Sequence, residues 1–129
     1  MKSSIKKFIA AFRIVLCLEL IVVTVLSLIP NYTVPSVIVF WDKAQHSIEF
    51  FVLVLTGCLA YPRTTVPVVT GLMMYGALIE LAQSSLTTTR VGDISDFFAD
   101  VVGILLGRAV YFLLVRFGRS RINPKMQSV

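Results

Sequence analysis

Charge is what this chain has least of: 15% of its 129 residues are Asp, Glu, Lys or Arg. A soluble domain of this size needs far more polar surface to cover its core, so the class is integral membrane. Cysteine is scarce as well. Cys17 and Cys58 both lie inside apolar segments, where a thiol acts as a small hydrophobe, so neither indicates a redox compartment. One histidine, His46, stands in the whole chain, and no tight metal-ligand motif surrounds it. Internal repeats, low-complexity segments and heptads are absent. What remains has no room for a soluble domain and reads as a single small bundle over 1–129.

Apolar residues make up 57% of the chain. About 20 of them in a row span the hydrocarbon core of a bilayer, and the pattern predicts an all-α integral membrane bundle of four transmembrane helices. Their expected ranges are about 9–29, 43–61, 66–83 and 96–116. No small-x-small cleavage site precedes Pro30, and Leu16 is too large for a lipoprotein site before Cys17, so the first segment is expected to be retained. Pro30 and Pro35 end it, Pro62 ends the second, and Pro67 falls in the first turn of the third, where its missing N–H costs little. The basic stretch 117–129 is expected to be a disordered tail.

Four spans place both termini on one side. If that side is cytoplasmic, it holds Lys2, Lys6, Lys7, Arg13, Arg63, Arg116, Arg119, Arg121 and Lys125, with Arg108 close enough to snorkel inward. Only Lys43 and Arg90 fall on the other face. Ten cations against two is a positive-inside pattern, so both termini are expected in the cytoplasm. The net charge of +5 is therefore topogenic, with some attraction to anionic lipid, and nucleic acid is not an expected partner.

The acids run the other way. Six of the seven, Asp42, Glu49, Glu80, Asp93, Asp96 and Asp100, fall near the outer ends of segments two to four. Asp96, Asp100, Gly103 and Gly107 are offset by 0, 4, 7 and 11 residues, which is one stripe of a helix. Asp42, His46, Glu49 and Leu53 repeat that spacing, and Gly76, Glu80 and Gln83 share its first three steps. An ionisable group facing lipid costs about 2.5–3.5 kcal/mol, so the three stripes are expected to turn inward onto a common pocket.

Plainer roles account for part of this set. Asp42, Asp93 and Asp96 sit where a carboxylate favours a helix N-terminus, and capping is the stronger reading for Asp93. Lys43 and Arg90 can neutralise neighbouring acids, and Gly103 with Gly107 forms a small-xxx-small packing pair. Glu80 is different, because it lies near a helix C-terminus, where the dipole disfavours its charge. The candidates for chemistry are His46, Glu80 and Arg90, with Asp42, Lys43, Glu49, Gln83, Asp96 and Asp100 as ligand-binding residues. Acid–base work by His46 and Glu80 with the two cations on a phosphate or oxyanion, and a divalent cation held by His46 and carboxylates, both remain open. Glu19, alone near the middle of segment one, reads as a proton-binding residue or an interhelical hydrogen-bond donor, the second being favoured.

The motif Asp42-Lys43-x-x-His46-x-x-x-Phe50, then Tyr75-Gly76 leading to Glu80-x-x-Gln83, then Arg90, then Asp96-x-x-x-Asp100-x-x-Gly103-x-x-x-Gly107, resembles the VanZ-like family of small membrane proteins. The similarity covers residues 42–107, with Asp100 standing where the family usually has Asn. It implies a multi-helix protein of the bacterial cytoplasmic membrane. The family's namesake is linked to teicoplanin resistance, so the resemblance implies action at the cell envelope and an effect on glycopeptide susceptibility. The expected partners are membrane lipid and a lipid-linked cell-wall precursor or glycopeptide-related ligand, preferably phosphate-bearing because Lys43 and Arg90 face it. The rivals are a non-enzymatic scaffold and a small proton- or ion-coupled transporter using Glu19 and Glu80.

Overall fold

The apolar runs fold as four helices: α1 (Lys2–Leu28), α2 (Val39–Ala60), α3 (Thr65–Leu86) and α4 (Ile94–Ile122), with no strand among the described residues. The computed structural model describes residues 2–29, 39–86 and 94–122, without the side chains of 2, 39, 40, 42 and 119–122. α1 takes in the basic leader from Lys2 onward, and α4 runs to Ile122, into the stretch expected as tail. Both extensions follow from the absence of a proline or a helix-stopping cluster at those positions. Between α2 and α3 the chain turns at Pro62, with the Thr64 amide bonded to the Tyr61 carbonyl at 3.1 Å.

Contacts fix the direction of each helix. Arg13 meets the Ala60 carbonyl and Glu19 meets Thr56, so α1 and α2 are antiparallel. Tyr75 reaches Leu20 and Gln83 reaches Ser27, so α1 and α3 run the same way. Lys43 pairs with Asp96, and Gly107 lies against Val54, which makes α2 and α4 parallel. The result is an up-down-up-down bundle in which α2 packs on all three neighbours and most extensively on α4.

The α2–α4 contact is a backbone-to-backbone approach. A Cβ at Gly103 would overlap the Ser47 carbonyl, and one at Gly107 would come within 2.7 Å of the Phe51 carbonyl oxygen. Small residues permit such proximity, and inside lipid this packing, with interhelical hydrogen bonds, replaces the hydrophobic effect as the cohesive force. The core fills the remaining space with Phe50, Leu53, Val54 and Cys58 of α2, Ile104 of α4, Leu72 of α3 and Val23 of α1.

Large apolar side chains cover the outside, among them Leu18, Ile21 and Val25 on α1 and Leu105, Leu106 and Phe112 on α4. So much contiguous apolar surface is stable in lipid and not in water. Three helices, α1, α3 and α4, are long and apolar enough to cross a membrane. α2, which carries Asp42, Lys43, His46 and Glu49 in its first half, is not among them. Its neighbours shield it on three sides, so these polar residues are tolerated there.

Candidate functional site

The parallel register of α2 and α4 brings His46 opposite Asp100, and the antiparallel α3 places Glu80 beside them. His46 is 5% exposed and Asp100 1%, while Glu80 is half-buried. The His46 Nδ1–H donates to Asp100 Oδ1 at 3.1 Å, the tautomer that a carboxylate partner selects. One donor atom each from His46, Glu80 and Asp100 lies within 4.8 Å of the other two.

Glycine makes room for this cluster. The second carboxylate oxygen of Asp100, Oδ2, lies over Gly76, 2.8 Å from where a Cβ would stand, and the Phe50 ring closes the same spot at 3.3 Å. Oδ2 is buried and has no hydrogen-bond partner among the described residues. Gly76 is one turn from Glu80 on the same face of α3, so Asp100 addresses His46 with one oxygen and α3 with the other.

Polar side chains nearby tie the helices together. Lys43 donates to Asp96 Oδ1 at 2.8 Å and also to the Ser95 hydroxyl, while Ser47 donates to the Ala99 carbonyl at 2.7 Å. These contacts clamp the start of α2 to the first two turns of α4, with Asp96 where the α4 dipole favours its charge. Gln83 is buried and donates to the Ser27 carbonyl at 2.9 Å, docking α3 onto the end of α1.

Glu49 is placed differently. It accepts a bond from Gln45 at 3.1 Å and lines a groove between α1 and α2 together with Glu19. His46 and Glu49 are three residues apart, about 60° around the helix, which is enough to aim one at α4 and the other at α1. Arg90 and Asp93 lie outside the described residues, as does the side chain of Asp42.

Other interhelical bonds come from residues that the spacing had not singled out. Thr56 donates to Glu19 Oε1 at 3.1 Å, so here Glu19 is the acceptor of its interhelical bond. The Tyr75 hydroxyl of α3 donates to the Leu20 carbonyl of α1 at 2.9 Å and lies 2.8 Å from the Thr24 hydroxyl. Hydroxyl side chains inside apolar segments were the available signal, since Ser, Thr and Tyr there seek partners across helices.

Chemically, the cluster is an imidazole oriented by one carboxylate with a second carboxylate within reach. Such a set can relay a proton or hold a cation. Comparison of the chain with protein-family models, with curated proteins and with solved structures gave no match to any of them.

Proposed function

We propose that the chain is a four-span, VanZ-like protein of the bacterial cytoplasmic membrane whose His46–Glu80–Asp100 cluster binds an envelope component at the outer leaflet and exchanges protons with it. The convergence of these three side chains from three helices carries the reading. Burying two acids and an imidazole together is costly, and a bundle that needed only packing would fill the space with apolar groups.

Helix direction supports four spans. α1 and α3 are parallel, so a chain that crosses with both must return between them, and α2 is the segment available. The end of the bundle where Lys6, Arg13 and Arg63 gather is opposite the cluster, which favours a cytoplasmic basic end and an outward-facing site. Lys43, beside the cluster and one-third exposed, suits a lipid-linked, phosphate-bearing ligand, with Arg90 four residues beyond α3 in the sequence as a second cation.

His46→Ala, Glu80→Gln and Arg90→Ala are expected to abolish an effect of the protein on glycopeptide susceptibility while leaving membrane insertion intact. Variants that insert normally and protect like the wild type contradict the reading. A second reading, a non-enzymatic scaffold, is favoured by the interhelical bonds of Lys43, Ser47, Tyr75 and Gln83. It predicts that cluster variants lose stability in proportion to any loss of effect.

A further inference from the structure

We infer that His46, Glu80 and Asp100 form a site for one divalent cation of the zinc or manganese class, held inside the bundle between α2, α3 and α4. The inference deepens the functional reading above and rests on it, adding a resident cofactor to the same cluster.

Ligand geometry is the first argument. At bonds of about 2.1 Å, neighbouring ligand atoms around such an ion lie about 3.0–3.4 Å apart. His46 Nδ1 and Asp100 Oδ1 already stand 3.1 Å apart, and the Glu80 donor is within 4.8 Å of its two counterparts. Closing the Glu80 carboxylate onto that pair completes a three-ligand set. The cation then takes the place of the proton held between Nδ1 and Oδ1, and that proton leaves to solvent.

The second argument is independent of spacing. Asp100 is 1% exposed, and its Oδ2 is buried without a hydrogen-bond partner among the described residues. A carboxylate oxygen in that state carries its full desolvation cost, which a bound cation offsets. The donors are one nitrogen and carboxylate oxygens with no thiolate, since Cys58 belongs to the apolar core. That set suits Zn²⁺ or Mn²⁺ better than an all-oxygen ion such as Ca²⁺. A cation there would also supply a Lewis acid for a phosphate oxygen, the ligand chemistry suggested by Lys43.

The test uses the full chain in lipid nanodiscs, stripped with a chelator and then dialysed against Zn²⁺ or Mn²⁺, with metal per chain and thermal stability measured. Wild type is expected to hold one ion per chain and to melt at a higher temperature with it. Asp100→Asn and Glu80→Gln are expected to bind at least about 100-fold more weakly and to show no thermal shift. Should Asp100→Asn fail to fold, the half-buried Glu80→Gln carries the comparison. A wild type that binds no more than empty nanodiscs overturns the inference, as does undiminished binding by both variants. If the wild type binds no metal while His46→Ala still abolishes the susceptibility effect, only the metal site falls. If metal binds and the cluster variants leave susceptibility unchanged, the site stands and the envelope reading falls.

Discussion

Gly76 on α3 and Asp100 on α4 occupy one another's space: a Cβ at position 76 would lie 2.8 Å from Asp100 Oδ2. The carboxylate is held on its other side by His46 and cannot swing away without giving up that bond. Gly76→Ala is therefore expected to destabilise the bundle by about 1–3 kcal/mol, the usual cost of overpacking. Reversible unfolding in mixed micelles measures it, and an unchanged midpoint would mean the carboxylate has room to spare.

Gly103→Ala and Gly71→Ala make a matched pair. The first drives a methyl into the Ser47 carbonyl, part of rigid backbone, whereas Gly71 has nothing within 4 Å of the added atom. Gly103→Ala is expected to separate α2 from α4 at a cost of about 3 kcal/mol. Gly71→Ala is expected to be neutral or stabilising by up to about 1 kcal/mol through helix propensity. Equal effects at the two positions would show that the close helix approach is not required.

Tyr75 and Gln83 fasten α3 to α1, Tyr75 at the Leu20 carbonyl and Thr24 hydroxyl and Gln83 at the Ser27 carbonyl. Interhelical bonds inside lipid contribute about 0.6 kcal/mol on average and about 1.7 at most. Tyr75→Phe and Gln83→Leu should each cost that much, with the losses adding, since the two residues lie at separate turns. Proteolysis from the α1 end is expected to become faster in the double variant than in either single one.

Helix periodicity put the polar stripes within reach of the sequence alone. Asp100, Gly103 and Gly107 recur every three or four residues, and all three are buried on the face of α4 that meets α2. Periodicity names a face and not the neighbour it meets, however. Glu49 shares a stripe with His46, yet 60° of rotation turns it to α1, because α2 has partners on three sides. Gln83 read as a ligand residue, and its bond to the Ser27 carbonyl depends on α1 and α3 being parallel, which no local pattern encodes. Hydropathy marks α4 only to about residue 116, whereas the helix continues to Ile122 because helix formation does not require apolar residues.

Charge placement makes a topology prediction. In a background lacking Cys17 and Cys58, a cysteine at exposed Arg63 should react with impermeant thiol reagents from the cytoplasmic side. A cysteine at exposed Ser85 should react from outside. Both sites labelled from one side would rule out α3 as a full span and, with it, the four-span arrangement.

Double-mutant cycles among His46, Glu80 and Asp100, read from unfolding free energies in lipid, most directly test whether these side chains act as one cluster. Groups in contact couple by about 0.5–3 kcal/mol, and all three pairs are expected to fall in that range. Additive losses, with coupling near zero for every pair, would contradict the cluster.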